Sequence, residues 1–310
     1  MRRRDVLGML LMGGPLAKTI AAYQQPAAGQ PQAPPSVEVE KLTDNLVLLR
    51  GGGGTTALLL GADGVTVVDT KNPNFGAPIL AAVKQLTGRP VTRIINTHCH
   101  GDHVSGNVEF PAIEVIAHEL TAANMKNWKP VAGFPVPNPP VASIFERNAN
   151  RNLPTRTFGD RLTLGQGQEQ IDLYYFGRGH TNGDAWIVFP ALRAMHAGDI
   201  FSTKGIPGLD AVNGGSGLAI ADSLTKAADT VKNIDTIITG HSKTMTVAEL
   251  REYAQFNRDF ANDVRAGKAA GKSADEVAKA WTIPAKYAGY ATPNPVRLLQ
   301  NVQVVFDELK

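Results

Sequence analysis

The sequence predicts an α/β fold of four layers, an αββα sandwich in which two β-sheets lie face to face and helices cover both outer sides. Three observations predict it. Short runs of β-branched and aliphatic residues recur in two sets, one between residues 37 and 117 and one between 161 and 239. Segments with apolar residues at helical spacing are interleaved with these runs, and helical patterns dominate from Val247 to the end. A chain of 310 residues that is 43% hydrophobic is long and apolar enough to bury such a core.

Along the chain, the first 36 residues read as an export leader and a linker. Arg3-Arg4 precede the apolar stretch Val6 to Leu16, which contains Gly8, Gly13, Gly14 and Pro15 and is too short to span a bilayer, where about 20 apolar residues are needed. It resembles a twin-arginine signal, which implies a periplasmic or secreted protein with no membrane span once matured. Residues 24 to 36 are rich in Gln, Pro, Ala and Gly, as in a solvated linker.

The folded part is expected from Val37. Strands are expected over Val37 to Leu42, Leu46 to Arg50, Thr55 to Leu60 and Val65 to Asp69, the last two joined by the hairpin signal Gly61-Ala62-Asp63-Gly64. Pro73 to Leu86 carries Ile79, Leu80, Val83 and Leu86 at helical spacing and is closed by Gly88 and Pro90. A strand over Thr92 to Asn96, another over 113 to 117 and a helix over Glu119 to Trp128 follow. Pro130 to Pro154 shows no clear period and reads as a surface excursion. Strands resume at Arg161 to Leu164, Gln170 to Phe176, Ala185 to Phe189 and Arg193 to Ala197. Leu218 to Lys232 reads as a helix and Thr236 to Thr239 as a strand. The expected division is therefore 1–36 leader and linker, 37–246 a sandwich domain, and 247–310 a helical extension.

Charge narrows the class of partner. The first 25 residues carry a net +3, from Arg2, Arg3, Arg4 and Lys18 against Asp5, and the remaining 27 basic and 27 acidic residues balance. No Lys/Arg-rich run occurs in the body, so nothing there marks a nucleic-acid surface, and a small uncharged or mildly polar molecule fits better. With the single cysteine Cys99, no intrachain disulfide can form.

The chemistry is concentrated in Asn96-Thr97-His98-Cys99-His100-Gly101-Asp102-His103, four potential metal ligands within six residues directly after an apolar strand. In an extended segment alternate residues point the same way, so His98 and His100 are expected to face one ion while Asp102 and His103 turn toward a second. Cys99 then points away, as a small buried residue and not a ligand. Three more candidates follow strands and stand beside glycine: His180 in Gly177-Arg178-Gly179-His180, Asp199 in Gly198-Asp199, and His241 in Gly240-His241-Ser242. Imidazole and carboxylate are the usual ligands of zinc, and a catalytic site leaves a position open for water.

This His-x-His-x-Asp-His run with separate His, Asp and His residues behind it resembles the metallo-β-lactamase superfamily, over roughly Val37 to Thr246. The resemblance implies that His98, His100 and His180 hold a first metal, that Asp102, His103 and His241 hold a second, and that Asp199 bridges them. It implies two zinc ions and a hydrolase in which a hydroxide between ions about 3.5–4 Å apart attacks the carbonyl of a small ester, lactone, thioester or β-lactam-like substrate. Asp102 is expected to be catalytic, orienting that hydroxide and handling its proton. Asp69, ending Val67-Val68-Asp69, resembles the family's aspartate that braces the ligand loop, and Asp184 is a candidate support for the His180 turn.

His118 and His196 are read as packing or surface histidines, and Lys204 and Asn213 as solvated residues of the loop after Asp199. The loops Gly51 to Thr56, Pro130 to Pro154 and Ser202 to Gly217 are expected to wall the pocket. Asp199 stands where many β-lactamases of the family carry cysteine or serine, which argues against dedicated antibiotic hydrolysis. The competing expectation is a non-haem iron oxidoreductase of the same fold, similar to persulfide dioxygenases. A single-iron site would not need Asp102, His103 and His241 together.

Overall fold

Two sheets built by alternating apolar strands carry the fold. The computed structural model describes residues 35–130 and 140–310. The expected leader and nearly all of the linker lie outside the described residues.

The first sheet runs in chain order, β1 (Glu38–Lys41), β2 (Leu46–Arg50), β3 (Thr56–Leu60), β4 (Val65–Val68), β5 (Val91–Ile95), β6 (Glu114–His118) and β7 (Arg156–Phe158). Pairing is antiparallel from β1 to β4 and parallel from β4 to β7. The second sheet holds β8 (Arg161–Leu164), β9 (Ile171–Tyr175), β10 (Ala185–Phe189), β11 (Ala194–His196) and β12 (Thr236–Ile238), antiparallel except for the parallel β11–β12 pair.

Side-chain alternation gives central strands such as β2, β3 and β10 two covered faces. Leu46 and Leu48 of β2, Ala57 and Leu59 of β3, and Ala185, Ile187 and Phe189 of β10 meet in one core between the sheets. The residues between them point outward. Val47, Leu49 and Leu58 pack with Ile79 and Val83 of α1 (Gly76–Leu86), and Trp186 and Val188 pack with Leu224 of α5 (Ile220–Thr230) and Leu250 and Tyr253 of α6 (Val247–Ala269). The order of layers is therefore helix, sheet, sheet, helix. Among the described residues no helix is long and apolar enough to cross a membrane.

The remaining helices are α2 (Gly101–Val104), α3 (Glu119–Lys126), α4 (Val141–Arg147), α7 (Ala274–Ala280) and α8 (Pro295–Glu308). Phe260 and Val264 of α6, Val277 of α7 and Leu298, Val302 and Val305 of α8 share a core of their own. The described residues form one compact unit.

Three expectations need correction. The helix expected from Pro73 begins at Gly76, because residues 73–75 make a turn whose Asn74 takes φ 73° and the Glu109 carboxylate caps the Asn74 and Gly76 amides. The excursion Pro130 to Pro154 is not wholly irregular: α4 lies within it and buries Val141, Ile144 and Phe145, a one-turn helical stripe. The ligand run is not extended throughout, since at Gly101 the chain turns into the single helical turn α2.

Candidate metal centre

Every candidate ligand sits just beyond the end of a strand, along one edge of the two sheets. β5 ends at Ile95 and leads into His98 and His100, α2 carries Asp102 and His103, and His180 lies between β9 and β10. Asp199 follows β11, and His241 follows β12. Two glycines permit the close approach. A Cβ on Gly240 would stand 1.8 Å from Asp199 Oδ1, and one on Gly54 would stand 2.1 Å from the His103 ring, so no larger residue fits either place.

The seven expected residues come together. Donor atoms of His98, His100, His180 and Asp199 lie within 4.8 Å of one another, and so do those of Asp102, His103 and His241. Asp199 stands between the two groups: Oδ2 is 3.9 Å from His180 Nε2 and 3.2 Å from His241 Nε2, and Oδ1 is 3.3 Å from His103 Nε2. Asp102 Oδ2 is 3.1 Å from His241 Nε2 and 3.8 Å from His103 Nε2. His98 and His103 are buried, whereas the side chains of Asp102 and His241 keep 31% and 34% of their surface. Solvent therefore reaches the centre from the Asp102–His241 side.

The outer nitrogens of four imidazoles are already committed to oxygen acceptors. Asp69 accepts from the Thr97 amide at 2.8 Å through Oδ1, and through Oδ2 from the Thr97 hydroxyl and His103 Nδ1, both at 2.6 Å. The Thr97 oxygen, its proton given to Asp69, accepts from His98 Nδ1 at 3.0 Å. His100 Nε2 donates to Asp210 Oδ2 at 2.7 Å, and His180 Nδ1 to the Gly208 carbonyl at 2.5 Å. These bonds fix the tautomers and turn the other nitrogen of each ring inward, the arrangement that metal-ligating histidines require.

What faces inward fits a cation. His98 Nε2 is buried without a hydrogen-bond partner, which is costly for a polar atom in a closed interior. His100 Nδ1 and His180 Nε2 approach to 2.9 Å although both outer N–H groups are already spent. Two lone pairs at that distance need a proton or a metal between them. Imidazole nitrogen and carboxylate oxygen form the donor set of zinc and related divalent ions.

Protonation follows the same division. Burial pushes His98 well below its ordinary value and His180 down to about 4, so these rings are neutral at pH 7. For His103 and His241 burial also acts downward, but the carboxylates win. Asp199, Asp102 and Asp69 lift His103 well above the usual range, and Asp199 and Asp102 raise His241 to about 10. Against burial, the facing imidazoles hold the Asp102 and Asp199 carboxyls well below theirs. Without metal, protons on His103 and His241 neutralise the carboxylates.

Of the two expected supports, Asp69 reaches a ligand directly through His103. Asp184 accepts from the Thr181 amide at 3.0 and 2.9 Å and from its hydroxyl at 2.6 Å, fixing the residue after His180, and burial lifts its carboxyl to about 7. Cys99 is buried among Val104, Val108 and Met125, away from the ligands. His118 caps α3 by accepting from the Leu120 amide, and His196 holds the Thr55 carbonyl at 3.0 Å. Lys204 pairs with Glu249 and Glu252 of α6. Asn213 is not solvated: it is buried and donates to both Asp210 oxygens, at 2.9 Å from its amide and 2.6 Å from Nδ2.

Sequence reasoning missed Asp210, the Gly208 carbonyl and Lys71. Asp210 had one available signal, an acid after the apolar Leu209 in a glycine-rich loop. Lys71 is wholly buried, donates to the carbonyls of Leu49 at 2.9 Å and Gly54 at 2.7 Å, and is pushed down to about 7 by burial.

Comparison with known proteins agrees with this geometry. The chain is 28% identical over 275 residues to a hydroxyacylglutathione hydrolase of Rhodospirillum rubrum, covering 83% of this chain and 84% of that protein. The crystal structure of DIM-1 metallo-beta-lactamase superposes with a TM-score of 0.57 at 17% identity, over 73% of this chain and 98% of that one. A metallo-beta-lactamase from Pontibacter korlensis does so with a TM-score of 0.56 at 16% identity, over 71% and 99%. Residues 49–241 match the family model of the metallo-beta-lactamase superfamily, a stretch that contains all seven converging side chains, and the chain belongs to that superfamily.

Proposed function

We propose that the protein is a dinuclear zinc hydrolase that cleaves a small ester, lactone, thioester or β-lactam-like carbonyl compound. One observation carries the reading: seven nitrogen and oxygen donors converge, with His98 Nε2 buried and unpartnered among them. His98, His100 and His180 would hold one ion, Asp102, His103 and His241 the other, and Asp199 both. Bound there, the ions supply Lewis acidity and lower the pKa of water toward neutrality.

The chain's own groups do the rest. Asp102 is the partly exposed carboxylate on the open side, and its Oδ2 orients the attacking water and takes up its proton. Asp69 and Asp210 keep the His103 and His100 rings in the required tautomers. Covered on the inner side by the buried rings, the centre admits a substrate from the side of Asp102 and His241. The name of the 28% identical relative denotes hydrolysis of an acyl-glutathione, a carbonyl substrate, which supports hydrolysis over oxidation. Export through the twin-arginine-like leader, with action in the periplasm or outside the cell, belongs to the same proposal.

Metal analysis of the full chain, followed by turnover of β-lactams, lactones, thioesters and aryl esters, tests it. Two zinc ions per chain with hydrolysis of one of these classes is the expected result. A single iron with oxygen consumption would replace this reading with that of an oxidoreductase.

A further inference from the structure

The loop between Asp199 and α5 has two faces. On one it holds the outer nitrogens of two of the three first-metal histidines: the Gly208 carbonyl accepts from His180 Nδ1 and the Asp210 carboxylate from His100 Nε2. The loop also takes its register from the His180 segment, since the Asp210 amide donates to the His180 carbonyl at 2.9 Å and the Ser216 amide to the Gly179 carbonyl at 2.8 Å. On its other face the loop rests on α8. Asn301 is buried there and donates through Nδ2 to the Pro207 carbonyl at 2.7 Å. Glu308, at the end of the same helix, accepts from the Leu218 amide at 3.0 Å. The helix therefore grips the loop at two points, and the Asn301 grip falls on the peptide that joins Pro207 to Gly208.

We infer that Asn301, and through it the C-terminal helix α8, is a positioning residue of the first metal site. By fixing the Pro207–Gly208 backbone it sets the carbonyl that holds His180 in its ligating tautomer and direction. The inference rests on the metal reading above and adds a role for the last helix, which lies outside the stretch matched by the family model. The physical reason is leverage. Only the two backbone torsions of Gly208 separate the anchored Pro207 carbonyl from the acceptor, so fixing the first restricts where the second can lie. Without it, the segment is held at Asp210, by His100, Asn213 and the Gly215 amide, and at Gly208 by the histidine whose direction it sets.

The test titrates zinc into metal-free full-length protein against a chelating dye, in wild type, Asn301→Leu and Val277→Ala, with thermal melts of each. Imidazole N–H protons of the metal-free forms are followed by NMR. Asn301→Leu is expected to weaken one of the two zinc equivalents about tenfold, the lower end of the 10–100-fold that loss of a ligand's partner costs, and to leave the other unchanged. It is also expected to shift or broaden the His180 Nδ1 proton. Val277→Ala trims the same helical layer within its core, so it should lower Tm and leave both equivalents as they were. Should Asn301→Leu not fold, Asn301→Asp keeps the shape, removes the donor and reads the same quantities.

Two results overturn the inference: wild-type zinc affinities with an unmoved His180 proton in the Asn301 variant, or equal weakening in the Asn301 and Val277 variants in proportion to their loss of Tm. A wild-type chain that takes up no zinc fails the metal reading alone. The His180 proton then decides, and an unchanged signal in the variant overturns the positioning role.

Discussion

Asp102 differs from the other donors in being both a prospective ligand and the carboxylate that solvent reaches, with His241 3.1 Å away and His103 3.8 Å away. Replacing it by Asn keeps the shape and an oxygen but removes the negative charge and the proton acceptor. Asp102→Asn should lower kcat by at least about 100-fold, the lower end of what a positioned acid–base group contributes, while Tm moves by only a few degrees. Steady-state kinetics beside a melting curve checks this, and near-wild-type turnover would remove Asp102 from the chemistry. Lys71 presents the opposite case, a charge that touches no ligand. Its ammonium satisfies the Leu49 and Gly54 carbonyls, and Gly54 in turn lies against the His103 ring and donates its amide to the Asp102 carbonyl. Lys71→Met removes the ammonium from two buried carbonyls and should cost roughly 2–5 kcal/mol in a denaturant titration. The seven converging side chains were legible in the sequence because histidine is rare and their spacing is unusual. Lys71 and Gly208 were not, because the sequence does not distinguish a lysine that folds inward after a left-handed turn (φ 68°), or one carbonyl among many, from its neighbours.

At the level of elements, legibility followed length and alternation. The sequence of β10, Ala185-Trp186-Ile187-Val188-Phe189, is apolar throughout because both of its faces are covered, one by the other sheet and one by α5 and α6. Such a run declares itself. In contrast, β7 has three residues, too few to show a period, and joins the sheet only through its parallel pairing with β6. Helix α4 has seven residues behind a proline, and its single stripe of Val141, Ile144 and Phe145 is visible only once the core beneath it is known. The extended reading of the ligand run failed for a related reason. The 69–71 turn pulls the segment into a helical turn, through Asp69 to His103 Nδ1 and the Thr70 amide to the His103 carbonyl at 2.7 Å, and both partners are distant in sequence. Helix starts set by local side chains were more transparent. Thr246 and Glu249 form a reciprocal capping box at the start of α6, two orphan amides satisfied together. Thr246→Ala should therefore destabilise the protein by about 1 kcal/mol, a fall in Tm of roughly 2 °C, without changing kcat. A differential scanning measurement resolves a change of that size.

Over the whole molecule, the two halves of the centre differ in what they must give up to bind metal. His98 and His180 are held neutral by burial and lose no proton when they bind an ion. His103 and His241 are held protonated by the carboxylates around them, His241 up to about 10, so an ion at the second position must displace both protons. The sign follows: affinity for the second equivalent should rise with pH, by up to about 100-fold per unit while both imidazoles are charged in the metal-free form, and affinity for the first should change far less. Stability moves in step. An imidazole whose folded pKa lies above its unfolded value of about 6.5 stabilises the metal-free fold fully below that pH and loses the contribution as pH climbs through the folded value, about 10 for His241. Lys71, depressed to about 7, works in the opposite sense between about 7 and 10.5, but it does so with or without metal and cancels in the difference. The gap in Tm between zinc-loaded and metal-free protein should therefore widen steadily from pH 6 to pH 9, and zinc titrations should give close to one equivalent at pH 6 and two at pH 8. Calorimetric titration in buffers of different ionisation enthalpy counts the protons directly. If both equivalents bind with the same pH slope, the contrast between neutral His98 and His180 and protonated His103 and His241 is wrong, and the carboxylates must be shared evenly between the two ions.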